Sequence, residues 1–152
     1  MSEDARVDDE RARLLRAYID EVHADTVLGA LGMRFTTLTK DEVSVDVDVG
    51  KHLFQHAGIV HGGVYVLLAE SAASTAAALA VDFLTNRVTG MEINANHLHP
   101  VTSGTLRATA RPIHRGKTTH VYGIEVTDQD ARLVSIVRCT VAIRPIRASS
   151  ER

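Results

Sequence analysis

The stretch from Gln55 to Val81 constrains the fold of this chain more than any other. It reads QHAGIVHGGVYVLLAESAASTAAALAV, and seven of the twelve residues from Ala69 to Ala80 are alanine. Alanine is the strongest helix former, and its small side chain leaves every face of a helix open to close packing. A helix that is small and apolar all round is typical of a protein interior. We therefore expect a long buried helix that begins near the Gly62-Gly63 pair.

Glu70 is the one charged residue in this apolar run. Carboxylates are seldom buried without a partner or a task. Ser71 and Ser74 are its nearest polar neighbours, and only Ser74, four residues on, shares the helix face of Glu70. Glu70 is thus a candidate catalytic group, either a nucleophile that attacks an acyl carbon or a general base that activates water. The structural alternative is a buried carboxylate that is hydrogen-bonded to Ser74 or to a neighbouring strand.

The rest of the chain predicts strands around this helix. Residues 33–39 and the strictly alternating residues 43–49 read as a hairpin with its turn at Lys40-Asp41. After the helix, alternating patterns recur at 91–97, 105–111, 122–126 and 133–143 without another helical period. In the first of these patterns His97 falls on the apolar register, so we expect its side chain to be buried. Four consecutive strands with tight turns make an antiparallel sheet, and a helix poor in side-chain bulk is the object for it to wrap.

The 152 residues suit a single domain. We expect an N-terminal tail and short amphipathic helix over residues 1–30, one domain over 31–145, and a polar tail over 146–152. A net charge of -2 gives no electrostatic case for nucleic acid or an anionic membrane as a partner. Cys139 is the only cysteine, which excludes an internal disulfide, and the chain opens without a leader pattern. The expected location is the cytoplasm.

Polar residues gather just before the helix. Two glycines at a helix start leave main-chain N–H groups unshielded, and these amides with the helix dipole suit a carbonyl oxygen that becomes an oxyanion. The alternative is that Gly62 and Gly63 serve only a tight turn. Gln55 can donate a hydrogen bond from its amide, and His61 can orient the loop or a leaving group. Either could equally be an ordinary loop residue.

Two further groups of residues raise the question of ligands. His97 and His99 share one strand face, but no cysteine or carboxylate stands at ligand spacing, so we expect no metal. His114, Arg115 and Lys117 form a basic turn that suits phosphate groups, with a solvated hairpin turn as the alternative.

Five sequence elements occur in register between about Gly32 and Ile143. They are Gln55, His61-Gly62-Gly63, Glu70 with Ser74 four residues later, the strand GMEINANH at 90–97, and the turn PIHRGK at 112–117. Together they resemble the hotdog-fold acyl-CoA thioesterases of the PaaI-like type, which include 4-hydroxybenzoyl-CoA and 1,4-dihydroxy-2-naphthoyl-CoA thioesterases. The resemblance implies an α+β fold in which an antiparallel sheet wraps round one central helix.

The resemblance also implies a function and roles for single residues. It implies hydrolysis of an aromatic or short- to medium-chain acyl-CoA without a cofactor, coenzyme A being part of the substrate. Glu70, Gly62, Gln55, His61 and Ser74 would be catalytic. The residues that would bind the substrate are His97, Gly63, His114, Arg115 and Lys117. Two rival functions stay open, an enoyl-CoA hydratase or dehydratase of the same fold and a non-catalytic acyl-CoA-binding module.

Helix geometry predicts how such a site is assembled. Gly62 and Glu70 are eight residues apart, which places them about 12 Å apart along the helix at roughly 1.5 Å per residue. This separation is too large for both to act on one carbonyl group. A second copy of the helix that runs antiparallel across a two-fold axis would bring the partner's Glu70 to Gly62. We therefore expect a dimer, or a dimer of dimers, with shared active sites.

Overall fold

A computed structural model describes residues 3–146 of the chain. The predicted polar tail lies outside the described residues except for Ile146, as do Met1 and Ser2 of the N-terminal tail. The helices are α1 (Glu3–Val22), α2 (Val27–Ala30) and α3 (Gly62–Leu79), and short 3-10 helices cover His23–Asp25 and Lys51–Leu53. The strands are β1 (Arg34–Leu38), β2 (Val43–Asp48), β3 (Asn86–His97), β4 (Thr105–Arg115), β5 (Thr119–Thr127) and β6 (Leu133–Pro145).

The six strands form one sheet in the order β1-β2-β4-β5-β6-β3, and every neighbouring pair is antiparallel. β1 and β3 are the two edges, and α3 packs against the inner face of the sheet. The predicted α+β hotdog fold is therefore confirmed.

The alanines of α3 explain how closely the sheet approaches the helix. Five of them are fully buried, namely Ala69, Ala72, Ala73, Ala76 and Ala77. They face strand side chains such as Val45, Leu106 and Ile124, which are themselves at most 1% exposed. Branched side chains on the sheet thus fill the space that the methyl groups of the helix leave, as dense core packing requires.

One stripe of α3 departs from the prediction that the helix is buried on every side. Val66, Leu67, Glu70, Ser74 and Ala78 are only half-buried, and they recur at the three- and four-residue spacing of one helix face. The length and hydropathy of α3 match those of a membrane-spanning helix, yet half of it is buried within the protein, as expected of a core helix. The stripe leaves a helix face that combines apolar side chains with Glu70 and Ser74 uncovered in one chain.

β3 begins at Asn86, five residues before the first residue of its predicted pattern, and contains a bulge. Gly90 pairs with Val141 and Glu92 pairs with Thr140, so Met91 is the additional residue between them. A bulge of one residue reverses the faces of the strand on its two sides. Met91 is consequently 60% exposed, although its place in the alternating pattern had indicated the buried face.

α1 is longer than the short helix predicted, since it spans 20 residues. Leu15 is buried, and Ile19 packs against the core, whereas Leu14 and Tyr18 are 49% and 59% exposed. Arg16 Nη1 donates a hydrogen bond to the main-chain oxygen of Phe35 at 3.1 Å, which ties the helix to β1. Only part of the apolar pattern in α1 therefore contacts the domain.

Candidate active site

The start of α3 is capped by the residue that precedes it. Nδ1 of His61 accepts a hydrogen bond from the N–H of Gly63 at 2.9 Å. Because Nδ1 is the acceptor, the neutral ring carries its proton on Nε2. The Gly63 amide is therefore engaged within the chain, while the Gly62 N–H has no partner among residues 3–146. Of the two amides expected to face a ligand, the structure leaves that of Gly62 free.

Gln55 lies in a tight turn beside this helix start. Its side-chain oxygen accepts a hydrogen bond from the N–H of Ala57 at 2.7 Å, and its main-chain oxygen accepts one from Gly58 at 2.9 Å. Since a main-chain N–H can only donate, the side-chain oxygen is fixed on that side, and the amide NH₂ group is turned away from it. Gln55 and Gly62 line a common cavity of about 470 Å³. Two hydrogen-bond donors thus serve one cavity.

His97 forms another wall of that cavity, at the end of β3. Its Nδ1 lies 3.0 Å from Oγ of Ser135, and its ring centroid lies 5.0 Å from that of Tyr65. A Cβ added to Gly62 would lie 2.7 Å from Nε2 of His97, so the ring is packed directly on the glycine. The expectation that His97 is buried is wrong, since β3 is an edge strand and His97 stands exposed at the rim of the sheet.

Glu70 lies against the middle of β3. A Cβ added to Gly90 would come 2.3 Å from Oε1 of Glu70, so the carboxylate occupies the space that the glycine leaves. The buried thiol of Cys139 is close enough to feel this charge. Its pKa is raised to about 11 by burial and by the negative charges of Glu70 and Glu92. The carboxylate is half-buried and accepts no hydrogen bond from any described residue. The structural alternative was a buried carboxylate that is hydrogen-bonded to Ser74 or to a neighbouring strand, and neither hydrogen bond occurs among the described residues.

The helix geometry assumed for the shared site holds in the structure. Gly62 and Glu70 both lie on α3, eight residues apart, which corresponds to about 12 Å along the axis. Ser74 lies one turn beyond Glu70 on the same half-buried stripe. Within one chain, the donors at the helix start and the carboxylate in its middle are therefore separate.

The basic segment at 114–117 differs from the compact turn that the sequence predicted. β4 continues through His114 to Arg115, so only Gly116 to Thr118 connect β4 with β5. Nη1 of Arg115 bonds to the carboxylate of Asp41 at 2.9 Å, and Nη2 bonds to the main-chain oxygen of Lys40. The guanidinium of Arg115 is thus hydrogen-bonded to the β1–β2 turn, whereas the side chains of His114 and Lys117 are exposed.

Arg115 also belongs to a polar network that the sequence did not reveal. His120 is 4% exposed, and its Nδ1 lies 3.4 Å from the hydroxyl of Tyr122, which is fully buried. Burial lowers the pKa of His120, and the positive charge of Arg115 lowers it further. Burial raises the pKa of Tyr122. The network holds the hairpin turns together and places no group in the cavity beside Gly62.

Sheet register relates this basic segment to Glu70. Gly90 pairs with Val141, Val141 pairs with His120, and His120 pairs with Arg115, which makes one row across four strands. Three strand spacings of about 4.8 Å separate the ends of the row by roughly 14 Å. Since Glu70 touches Gly90, the basic segment lies on the Glu70 side of the chain. His97, by contrast, pairs with Ser135 at the far end of β3.

Sequence reasoning missed three residues that shape the site. Ser135 is a fully buried serine among apolar neighbours, and the hydroxyl of Tyr65 is buried without a partner in the described chain. A serine in the interior of an alternating strand was the available signal for the first. Gly90 was seen only as part of a motif, although a glycine inside a strand often marks a bulge or a close approach.

Comparison with known proteins identifies the family. The sequence profile of the thioesterase superfamily matches residues 57–135, just over half of the chain. This region contains the helix start, Glu70, Gly90 and His97. The chain belongs to the thioesterase superfamily and is a thioester hydrolase with the hotdog fold.

Three relatives show how far the similarity extends. The 1,4-dihydroxy-2-naphthoyl-CoA hydrolase of Listeria monocytogenes is 41% identical over 117 residues, 77% of this chain and 94% of that protein. A thioesterase crystal structure from Pseudomonas aeruginosa is 35% identical, with a TM-score of 0.80, over 89% of this chain and 94% of that one. The Escherichia coli PaaI protein, at 24% identity and a TM-score of 0.78 over 91% of this chain and 96% of that one, shares the fold.

Proposed function

We propose that this chain hydrolyses acyl-CoA thioesters with an aromatic or short- to medium-chain acyl group, at a site built by two subunits. The observation that carries the proposal is the pairing of two free donors, the Gly62 N–H and the Gln55 amide, in one cavity. A thioester carbonyl needs such donors when its oxygen becomes negatively charged. The naphthoyl-CoA hydrolases among the relatives support an acyl-CoA as the substrate class.

The two donors act on the carbonyl oxygen of the thioester. The Gly62 amide stands at the positive end of the α3 dipole, and the Gln55 amide is held in place by its bond to Ala57. Losing one donor of this kind costs about 10²–10³ in kcat in known enzymes. His61 contributes by capping the helix, so its role in this proposal is to hold the Gly62 amide toward the substrate.

Glu70 of the second subunit supplies the carboxylate. As a nucleophile, its oxygen attacks the carbonyl carbon, the carbon–sulfur bond breaks, and water then opens the mixed anhydride. As a general base, it takes a proton from a water molecule that attacks the same carbon. In both routes the thiolate of coenzyme A leaves and takes up a proton, and the products are the free acid and coenzyme A. Ser74, on the same stripe, would hold the water or the carboxylate.

The half-buried stripe of α3 supports pairing with a second subunit. It combines Val66, Leu67 and Ala78 with Glu70, so it presents apolar surface next to a catalytic carboxylate. Antiparallel pairing of two such helices would cover the apolar side chains and bring Glu70 of the partner subunit to Gly62. Such a dimer could pair again into a dimer of dimers.

The subunit that supplies Glu70 would also bind the coenzyme A moiety. The row from Gly90 to Arg115 places the exposed His114 and Lys117 on the same side of the chain as Glu70. The positive charge of Lys117 and a ring N–H of His114 suit the nucleotide phosphates, while Arg115 supports the turn through Asp41. Gly63 and His97 would line the acyl side in the other subunit.

Turnover measurements test the proposal. The protein should release coenzyme A from benzoyl-CoA or a related acyl-CoA, and Glu70→Gln should lower kcat by roughly two or more orders of magnitude. The matched control is Glu125→Gln, on an exposed part of β5, which should retain activity. Water addition to crotonyl-CoA would indicate the hydratase instead, and binding without turnover would indicate an acyl-CoA-binding module. A Glu70→Gln enzyme with more than about a tenth of the wild-type rate would contradict the role of Glu70.

A further inference from the structure

Three neighbours fix the imidazole of His97 in the cavity. Ser135 contacts Nδ1, the ring of Tyr65 packs against the imidazole, and Gly62 lies against Nε2. Nε2 is the ring nitrogen on the side of the helix start, and it has no hydrogen-bond partner among the described residues. What this atom can do depends on which nitrogen carries the proton of the neutral ring.

The surroundings of Ser135 decide that question. Its Oγ lies 3.0 Å from Nδ1 of His97 and 3.2 Å from the main-chain oxygen of Asn96. The hydroxyl has one proton, and a main-chain oxygen can only accept a hydrogen bond. If Ser135 donates to Asn96, His97 must donate from Nδ1–H, and both contacts are hydrogen bonds. If Ser135 donates to Nδ1 instead, its contact with Asn96 is lost.

The first arrangement makes one more hydrogen bond around a fully buried hydroxyl, and it is therefore favoured. Protonation of Nδ1 leaves the lone pair of the neutral ring on Nε2. We propose that Ser135 is a positioning residue, which holds His97 with Nδ1 protonated and Nε2 facing the cavity as a hydrogen-bond acceptor.

An acceptor at this place selects among acyl groups, an inference that rests on the proposed function. The Gly62 and Gln55 donors take the carbonyl oxygen, and Nε2 of His97 lies beside Gly62. A hydrogen-bond donor on the acyl group, close to the carbonyl carbon, would be received by Nε2. The pocket therefore favours acyl groups with a hydroxyl near the thioester, such as 2-hydroxybenzoyl, over the same acyl group without it.

Nuclear magnetic resonance tests the positioning role without any substrate. Long-range proton–nitrogen spectra of histidine-labelled protein at pH 8, where an ordinary imidazole is neutral, show which ring nitrogen is protonated. His97→Gln assigns the signal. We expect the Nδ1–H form in the wild type and a shift toward the Nε2–H form in Ser135→Ala. The control Ser44→Ala removes another buried hydroxyl, which bonds to Thr109, and should leave the His97 signal unchanged.

Kinetics test the selectivity. The ratio of kcat/KM for 2-hydroxybenzoyl-CoA to that for benzoyl-CoA should fall roughly three- to tenfold in Ser135→Ala, the range for one hydrogen bond, and stay constant in Ser44→Ala. Ser135→Cys, which keeps the volume, covers the case in which the alanine variant does not fold. An Nε2–H form in the wild type, or an unchanged ratio after the tautomer has shifted, would overturn the proposal. An absence of thioester hydrolysis would refute the proposed function, and the tautomer would still decide the role of Ser135.

Discussion

Gly90→Ala should displace the carboxylate of Glu70, for which we propose a catalytic role, while it leaves the fold intact. The added Cβ would lie 2.3 Å from Oε1 of Glu70, and ordinary van der Waals contact begins at 3.4 Å. The carboxylate must therefore move by about 1 Å, which is the difference between these two distances. Oε1 is the end of a flexible side chain, so it can move while the strand stays in place.

The expected loss follows from that displacement. A shift of about 1 Å in a reacting group can cost roughly 10²-fold in rate, so kcat should fall about 10- to 100-fold. The free energy of unfolding should change by less than about 1 kcal/mol, because alanine in a strand lowers the entropy of the unfolded chain. This variant should thus lose activity while it keeps its stability.

The assay is steady-state release of coenzyme A, with thermal unfolding measured on the same sample. Gly123→Ala on β5 is the matched control, since its added Cβ would meet only the side chain of Ile113, at 3.3 Å. That variant should keep the wild-type kcat. A Gly90→Ala enzyme with a kcat within about twofold of the wild type would refute the placement of Glu70 against Gly90.

Other expectations concern stability and coenzyme A binding. Because burial lowers the pKa of His120 in the folded protein, the unfolded chain takes up this proton at a higher pH. The free energy of unfolding should therefore fall as the pH drops below about 6.5. His120→Gln should flatten that part of the plot of urea midpoint against pH, and the same slope in the wild type and the variant would contradict this. Arg115→Ala should lower the unfolding free energy by about 1–3 kcal/mol, whereas Lys117→Ala should raise KM for acyl-CoA more than for a pantetheine thioester. Tyr65→Phe removes a buried hydroxyl that has no partner in the described part of the chain, and it should not lower the melting temperature.

Local patterns were sufficient to predict the central elements. The alanine run predicted α3, and strict alternation predicted β2, because both signals depend on neighbours within a few residues. The spacing of Gly62 and Glu70 along a helix also carried over directly. These features belong to one element each, which is why a single sequence contains them.

Features that depend on sheet register could not be predicted in the same way. Arg115 bonds to Asp41, which is 74 residues away in sequence, and His97 contacts Ser135, which is 38 residues away. No local sequence pattern could therefore predict either contact. The bulge at Met91 reverses the faces of β3 within a pattern that alternates without interruption. The half-buried stripe of α3 did have a local signal, because it holds the polar residues Glu70 and Ser74, whereas the buried side of the helix consists of Val, Tyr, Leu and Ala.

A mixed-dimer experiment tests the shared site most directly. Gln55→Ala is the suitable partner for Glu70→Ala, because any Cβ at Gly62, including that of proline, would collide with His97. Each variant alone should be nearly inactive. When they are unfolded and refolded together in equal amounts, about half of the dimers are mixed, and each mixed dimer has one intact site. If the site is shared, about a quarter of wild-type activity should return. No recovery, with mixed dimers verified by differently tagged subunits, would show that Gln55 and Glu70 act within one chain.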